Sequence, residues 1–204
     1  MSTRPTLTPR AVRGFGGDLR IASATNLPAA ASQARYIARR ARAADADAVH
    51  ALIAHYAAQG LLLPRTKEDV RTNIDHFLVL SQAGRVVGCV ALEPYGADLA
   101  EIRSLAMAAE HAGGGRGARL ARFALAIAKR RRIARVFAVT HAPEFFERLG
   151  FTRADRHSIK EKVERDCRTC PKQASCHLTA MVFMVMPERA LLPVLDGQPT
   201  SATA

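Results

Sequence analysis

Residues 99–130, LAEIRSLAMAAEHAGGGRGARLARFALAIAKR, decide the fold expected for this chain. The apolar run from Leu99 to Met107 predicts a β-strand, and apolar residues at helical spacing predict an amphipathic helix over residues 116–129. Between them lies a loop with glycines at positions 113, 114, 115 and 117. Glycines at a strand-to-helix junction let the backbone turn tightly and approach a ligand closely.

This glycine-rich junction is suited to a phosphorylated ligand. Successive N–H groups at the start of a helix, together with the helix dipole, form an anion site whose natural ligand is a pyrophosphate. The loop follows several predicted strands and no acidic residue lies between Glu110 and Glu144, which argues against a Rossmann dinucleotide site. A P-loop is excluded because the Gly-Lys-Ser/Thr sequence is missing. Glycine-rich turns that bind nothing are also common, so the loop alone leaves both interpretations open.

On either side of this stretch, strands and helices are intermixed. Strands are predicted at 36–42, 77–80, 85–92, 134–140, from 151 onward and at 178–186, and helices at 45–58, 66–74, 144–149 and 159–166. Asp45 is predicted to cap the first helix, and Thr66 with Asp69 resembles a capping box. Meander and crossover connections together predict a mixed α/β sheet.

Size and composition fit one domain with tails. Of the 204 residues, 49% are hydrophobic, and the apolar runs are far shorter than the roughly 18–20 residues needed to span a bilayer. We expect a domain at 34–186, a disordered tail at 1–33 and a flexible tail at 187–204. Without a hydrophobic run of signal-peptide type, the expected location is the cytoplasm.

The charge balance favours anionic partners. Lys and Arg number 30 against 18 Asp and Glu, which gives a formal net charge of +12. Nucleic acid, anionic lipid and a phosphorylated cofactor all suit this charge. Nucleic acid is the less favoured partner because the basic residues are scattered, aromatic residues make up only 5% and there is no Trp.

Five separated segments share their sequence and order with a known group of enzymes. They are LLLPRT (61–66), VGCVAL (87–92), LAEIRSLA (99–106), VFAVT (136–140) and PEFFERLGF (143–151), and the segment KVERDC (162–167) adds to them. They resemble the short amino-acid N-acetyltransferases of arginine biosynthesis, the N-acetylglutamate synthases, within the Gcn5-related N-acetyltransferase (GNAT) superfamily. The resemblance implies a single domain with a mixed, mostly antiparallel sheet flanked by helices. It also implies acetyl-CoA as cosubstrate and the α-amine of L-glutamate as acceptor.

The resemblance further implies where acetyl-CoA binds. The strand before the glycine-rich loop would hold pantetheine through its main chain, and the loop would hold the pyrophosphate. The strand residues are Leu105, Ala106 and Met107, and the loop residues are Gly113, Gly114, Gly115, Arg116, Gly117 and Ala118. The family has Gln or Arg where this chain has Ala112, so one side-chain contact to the cofactor is expected to be missing.

Glu101 is the expected general base, because the family's equivalent strand points side chains toward the acceptor cleft and acyl transfer needs an unprotonated amine. The alternative is an ordinary ion pair with Arg103, two residues along the same strand face. The candidates to bind the acceptor's carboxylates are Arg65, Arg103 and Lys162. For each of them, a solvated surface charge with no role in binding explains the residue at least as well.

Aromatic residues bear on the leaving thiolate. Many relatives have a Tyr on the helix that follows the next strand, where it protonates the leaving thiolate as general acid. The equivalent position in this chain is Phe146. We therefore expect no side-chain acid, and we predict packing roles for Phe145, Phe146 and Phe151. The CoA thiol is acidic enough for its thiolate to leave unassisted, and water is the alternative proton donor.

Four cysteines complete the set of candidate residues. Cys89 lies in an apolar strand and is predicted to be part of the core. Cys167, Cys170 and Cys176 have half of a zinc-ligand spacing, so a structural zinc and free thiols are both open. The fourth ligand would come from His157, Asp166 or His177.

Two other functions are compatible with the sequence. One is an acetyltransferase of the same fold that acts on another small amine or on a protein amine. The other is a non-catalytic module that binds acyl-CoA, or nucleic acid through the cysteine loop. The expected partner is a small amino acid and not a membrane, and assembly into a homo-oligomer is left open.

Overall fold

The computed structural model describes residues 35–170, 173 and 176–186, and the predicted tails at 1–33 and 187–204 lie outside them. The strands are β1 (Ile37–Arg40), β2 (Phe77–Gln82), β3 (Arg85–Pro94), β4 (Leu99–Met107), β5 (Arg135–Thr140), β6 (Thr152–Ala154) and β7 (Thr179–Met184). They form one sheet in the order β1-β2-β3-β4-β5-β7-β6. All neighbours are antiparallel except β4 and β5, which are parallel.

Helices flank this sheet. They are α1 (Ala46–Ala58), α2 (Lys67–Thr72), α3 (Arg116–Arg130), α4 (Pro143–Glu147) and α5 (Lys160–Lys162), and a π-helical stretch, Val163–Cys167, continues α5. Short 3-10 turns lie at Ala43–Asp45, Ile74–His76, Ala109–His111 and Arg156–Ser158. The predicted mixed, mostly antiparallel α/β architecture is confirmed. Within the described residues, no helix is both long and apolar enough to cross a membrane.

Alternate residues of the strands enter different apolar clusters. In β2, Leu78 and Leu80 pack in a cluster that includes Leu120 of α3, whereas Phe77 and Val79 pack in a cluster with the buried residues of α1. Side chains alternate between the two faces of a strand, so α3 and α1 cover opposite faces of the sheet. Both faces of the central strands are therefore buried.

β4 contains a bulge. Arg103 and Ala106 pair with β3 residues only two positions apart, so Ser104 and Leu105 both lie opposite Val90. Ser104 has a φ of 53°, a left-handed conformation that is uncommon for a residue other than glycine. The extra residue bends the strand and keeps Arg103 and Ala106 on the same face.

β4 and β5 diverge after a short contact. They pair only at Leu99–Glu101 and Arg135–Phe137, although β4 is nine residues long. All six residues of β5 pair instead with β7 on the other side. In the part of the chain that the structure describes, no strand pairs with β4 residues 102–107 on the side of β5.

The two predicted helix caps have different outcomes. Thr66 does cap α2, because its Oγ1 accepts from the Asp69 N–H at 3.0 Å. The prediction that Asp45 caps α1 is wrong. Its carboxylate accepts from both terminal nitrogens of Arg39, at 2.6 and 2.9 Å, and from the N–H of Arg42 at 2.7 Å. The pairing with an arginine of β1 outweighs local capping, so Asp45 joins the start of α1 to the sheet.

Candidate active site

Charged side chains are buried between two apolar clusters on the α1 face of the sheet. One cluster contains the core of α1 and α2, and the other contains Leu99 of β4 and Ile159, which precedes α5. Between them, Glu93, Glu101 and Lys162 are 8%, 3% and 7% exposed. Ionised groups are rarely this buried unless they are paired.

Lys162 lies at the centre of this group. Its Nζ donates to Glu101 Oε2 at 2.9 Å, to Asp166 Oδ2 at 2.6 Å and to the Tyr95 hydroxyl at 3.2 Å. An ammonium group has three hydrogens, so these three acceptors use them all. The spacing of four residues between Lys162 and Asp166 places both on one side of the helical segment that docks against β4.

Tyr95 connects the two carboxylates. Its hydroxyl lies 2.9 Å from Glu101 Oε2 and 2.6 Å from Asp166 Oδ2. Burial, the charge of Glu101 and the hydrogen bond to Asp166 raise the pKa of Tyr95, so it is a neutral hydroxyl at physiological pH. The Arg165 guanidinium lies over the Tyr95 ring, 4.0 Å from its centroid.

Arg103 completes the pairing of charges. Its Nη1 lies 3.7 Å from Glu101 Oε2 and 3.5 Å from Asp166 Oδ2. Burial would raise the pKa of Asp166, but the hydrogen bonds from Lys162 and Tyr95 and the charges of Lys162 and Arg103 outweigh it and lower that pKa. Two cations thus face two carboxylates.

Glu93 forms a neighbouring pair of contacts. It faces Glu101 across the β3–β4 pairing and accepts from Arg165 Nη2 at 2.7 Å and from Arg65 Nη2 at 3.4 Å. Arg65 also donates to Asp69 at 2.9 Å. Although burial raises the pKa of Glu93, these arginines and Arg103 lower it overall.

The glycine-rich loop has the geometry of an anion site. Gly113, Gly114 and Gly115 all have positive φ, at 79°, 55° and 73°, and α3 begins immediately after them. Arg116 folds back so that its Nη1 donates to the Gly113 carbonyl at 3.2 Å. The N–H groups of the first helical turn, which includes Gly117, lack carbonyl partners within the helix.

The start of α3 lies beside the end of β4. A Cβ added to Gly117 would lie 3.9 Å from Cγ of Met107 and 3.8 Å from the ring of Phe145. From the other side, the Tyr56 hydroxyl donates to the Met107 carbonyl at 2.6 Å. The loop therefore adjoins the unpaired part of β4, so a single extended ligand can reach both.

The sequence-predicted residues thus fall into two adjoining groups. Glu101, Arg103 and Lys162 come together directly, and Arg65 is linked to them only through Glu93. The loop residues and Leu105–Met107 form the second group. Sequence reasoning missed Glu93 and Tyr95 as site residues. The sequence does contain a signal for Glu93. It is the charged residue that ends the apolar run VGCVALE, and in a predicted hairpin it lies opposite Glu101.

The cysteine predictions have mixed outcomes. Cys89 is buried in the core, as predicted, and burial raises the pKa of its thiol to about 12. Cys167, Cys170 and Cys176 form no disulfide bond. Residues 171, 172, 174 and 175 are not described, and among the residues that are, no three His, Cys, Asp or Glu side chains converge as metal ligands. Asp166, a candidate fourth ligand, is bonded to Lys162 and Tyr95 instead.

The predicted packing roles of the phenylalanines are confirmed. Phe146 and Phe151 are buried in the core on the α3 face, and Phe145 packs partly buried against it. Neighbouring rings meet edge to face at 5.1–5.2 Å between centroids. None of them belongs to the charged group around Glu101.

Comparison with known families identifies the fold. Residues 41–151, more than half of the chain, match the sequence model of the acetyltransferase (GNAT) family. The chain belongs to the GNAT family. This assignment agrees with the bulged and diverging β4 and with the glycine-rich start of α3.

Several GNAT relatives have similar sequences. An uncharacterised N-acetyltransferase of Chlorobaculum tepidum is 38% identical over 144 residues, which are 71% of this chain and 93% of that protein. The amino-acid acetyltransferase of Mycobacterium tuberculosis is 33% identical over 66% of this chain and 79% of its own length. That of Neisseria meningitidis is 34% identical over 64% of this chain, but the match spans only 30% of the Neisseria protein.

Solved structures show the same GNAT architecture. The N-acetylglutamate synthase of Neisseria gonorrhoeae, complexed with coenzyme A and N-acetyl-glutamate, superposes with a TM-score of 0.68 at 29% identity. The match covers 76% of this chain and 36% of that one. A Mycobacterium tuberculosis protein in complex with CoA superposes with a TM-score of 0.66 at 27% identity, covering 74% of this chain and 99% of that one.

Proposed function

We propose that this protein transfers the acetyl group of acetyl-CoA to the α-amine of an amino acid, and that the acceptor is L-glutamate. The observation that carries the proposal is a buried carboxylate, Glu101, held by Lys162 and Arg103 beside the unpaired end of β4. The names of the relatives support the reaction class, and the ligands of the Neisseria gonorrhoeae structure support the acceptor.

Acetyl-CoA fits the second group of residues. Pantetheine carries two amides, which suit the unpaired side of β4 at Leu105–Met107. The pyrophosphate suits the loop at Gly113–Ala118, because three consecutive left-handed glycines place no Cβ before α3 and the Arg116 guanidinium, which lies against Gly113 and Gly114, adds a positive charge. When bound there, acetyl-CoA supplies the thioester whose acetyl group is transferred.

The residues around Glu101 would deprotonate the acceptor. An amino acid arrives as an ammonium ion, and its nitrogen attacks only after one proton is lost. Glu101 accepts that proton directly or through a water molecule. The main-chain N–H of Leu105, at the β4 bulge, would polarise the thioester carbonyl, whereas the N–H of Ala106 already hydrogen-bonds to Cys89. Phe146 lies in the apolar core and has no proton to donate, so the CoA thiolate leaves unassisted by this residue.

The cations divide between two tasks. Lys162 was a candidate to bind the acceptor, but its three hydrogens are used by Glu101, Asp166 and Tyr95, so we assign it to holding the base. Both terminal nitrogens of Arg65 already contact carboxylates. Arg103 makes only long contacts, at 3.5 and 3.7 Å, and its side chain is 20% exposed. It is therefore the best-placed residue to bind a carboxylate of the acceptor.

A substrate panel tests the proposal. Purified full-length protein is incubated with acetyl-CoA and each amino acid, CoA release is measured, and calorimetry measures CoA binding separately. We expect CoA binding and the highest kcat/KM with L-glutamate. Faster acetylation of another small amine or of a peptide amine would reject glutamate as acceptor. The absence of binding heat with CoA and acetyl-CoA would reject the enzymatic function itself.

A further inference from the structure

Glu101 is almost completely buried. Its side chain is 4% exposed, and its Oε2 is surrounded by Lys162, Tyr95 and Arg103. A base that accepts a proton in each turnover has to release it before the next one. If the acceptor's proton stayed on Glu101, the next acceptor would meet a neutral carboxylic acid.

Asp166 is more exposed to solvent than Glu101. Its side chain is 26% exposed, and its Oδ2 lies 2.6 Å from the Tyr95 hydroxyl. The same hydroxyl lies 2.9 Å from Glu101 Oε2. One hydroxyl hydrogen cannot serve both carboxylates at once, so Tyr95 bridges a nearly buried and a partly exposed carboxylate through a bond that can point either way.

We propose that Tyr95 and Asp166 form a relay that carries the proton accepted by Glu101 to the protein surface. The proposal rests on the function proposed above, because it needs Glu101 to act as the base. Tyr95 and Asp166 act through Glu101 and do not touch the reacting atoms. They are positioning and proton-transfer residues for an acetyl transfer that Glu101 initiates.

The step balances with one proton and no change in any other bond. The O–H bond on Glu101 Oε2 breaks while a new O–H bond forms at the Tyr95 oxygen, and the original Tyr95 O–H bond breaks while one forms at Asp166 Oδ2. Tyr95 is neutral before and after. Burial and the charge of Glu101 raise its pKa, which disfavours a free phenolate and requires the two transfers to be coupled.

The surroundings favour release at Asp166. Burial raises the pKa of Asp166, but the hydrogen bonds from Lys162 and Tyr95 and the charges of Lys162 and Arg103 outweigh burial and lower that pKa. A proton that reaches Asp166 therefore passes to water. Lys162 contacts all three relay oxygens and fixes their spacing. Arg165 adds a contact of 3.5 Å between its Nε and Asp166 Oδ1.

The Tyr95 ring is fixed independently of its hydroxyl. It packs edge-on against Phe137 at 5.1 Å between centroids, and Arg165 covers its face. Phenylalanine retains these ring contacts and removes only the hydroxyl. We therefore expect Tyr95→Phe to fold and to lack the relay.

Comparing steady-state with single-turnover acetyl transfer tests the relay, because Glu101 has to release its proton only before the next turnover. For Tyr95→Phe and Asp166→Asn we expect steady-state rates about 10- to 100-fold below wild type, with the single-turnover rate and CoA affinity within about twofold. In mixtures of light and heavy water, the wild-type steady-state rate should depend on deuterium fraction along a curve, since several protons move. The dependence should become linear in Tyr95→Phe. Asp166→Glu should recover part of the rate lost in Asp166→Asn.

Asp47→Asn is the matched control, because Asp47 is exposed and pairs only with Lys67 and Arg71 near α1. Its rate and isotope dependence should equal those of wild type. A Tyr95→Phe protein with the wild-type steady-state rate and the curved dependence would overturn the relay, even if Glu101→Gln is inactive. Wild-type protein that acetylates no amino acid would reject the proposed function instead.

Discussion

Lys162 and Glu101 are 61 residues apart in the chain, yet Lys162 Nζ lies 2.9 Å from Glu101 Oε2. Their side chains are only 8% and 4% exposed, so water cannot replace either partner. The attraction between two buried charges offsets the cost of removing them from water only while both are present. The pair therefore contributes to folding as well as to the proposed chemistry.

The first prediction concerns this pair. Lys162→Met should lower the free energy of unfolding by about 3–5 kcal/mol, because it leaves the buried Glu101 and the partly exposed Asp166 without their shared cation. Glu101→Gln/Lys162→Met should cost less than the sum of the two single changes. Urea denaturation of the four proteins measures both effects. Strict additivity would show that the pair is not coupled.

Glu101→Gln should separate chemistry from binding. The single-turnover rate of acetyl transfer should fall at least about 100-fold, since an amide cannot accept the acceptor's proton. The calorimetric Kd for CoA should change by less than about twofold, because the proposed cofactor contacts lie farther along β4 and in the loop. Glu147→Gln, at an exposed ion pair with Arg153, serves as the control. An unchanged rate at every pH would refute Glu101 as the base.

Two glycines with the same backbone conformation test the loop. Gly115, before α3, has a φ of 73°, and Gly84, in the β2–β3 turn, has a φ of 79°. Neither has an atom within 4 Å of an added Cβ, so alanine should cost each about 1–2 kcal/mol of stability through backbone strain alone. Only Gly115→Ala should also weaken CoA binding, by about tenfold. Equal CoA affinities in the two variants would contradict the pyrophosphate assignment.

The Asp45–Arg39 contact predicts a pH dependence of stability. The hydrogen bonds from Arg39 lower the pKa of Asp45 despite burial, so its stabilising effect is complete above the unfolded-state value of about 4 and is lost as the pH falls through the lower folded-state value. Asp45→Asn should therefore cost about 2 kcal/mol at pH 7 and progressively less as the pH falls below about 4.

Urea denaturation at each pH measures this difference. Asp47→Asn, two residues away at an exposed site, should change stability by less than about 0.5 kcal/mol throughout. A cost for Asp45→Asn that does not depend on pH would show that its carboxylate charge is not the cause.

The cysteines should differ in reactivity. Cys89 is completely buried, and its thiol, with a pKa of about 12, should react with a thiol reagent at pH 8 only after unfolding. Cys167, Cys170 and Cys176 should react in the native protein, Cys167 most slowly because burial raises its pKa. A native protein that exposes all four thiols equally would contradict this order. Thiols that react only after a chelator is added would favour a structural zinc.

Local patterns predicted the elements of the fold well. β4 occupies the predicted residues, Leu99–Met107, and α3 ends one residue beyond the prediction, at Arg130. Both depend on short-range periodicity and on glycines at the junction, which the sequence displays directly. The bulge at Ser104 could not be predicted, because Leu99–Met107 contains no Gly or Pro to mark an irregularity and only the pairing with β3 reveals it.

The candidate site was predicted in part for the same reason. Glu101, Arg103 and Lys162 stand in recognisable motifs, but which of them touch depends on how α5 packs against β4. That packing makes Lys162 a partner of Glu101 and brings in Tyr95, which no motif marks. The sequence indicates Asp166 only as a candidate metal ligand, because it lies next to the cysteine cluster. Its hydrogen bond with Tyr95, 71 residues earlier, depends on tertiary packing that local spacing does not reveal.

The position of β7 affects how the molecule is made. β7 is the last described strand in chain order, yet it lies inside the sheet and pairs with every residue of β5. While the ribosome synthesises the stretch from Thr140 to Thr179, one edge of β5 has no partner and is able to pair with other nascent chains. A chaperone that shields this edge until Met184 emerges would raise the yield of native protein.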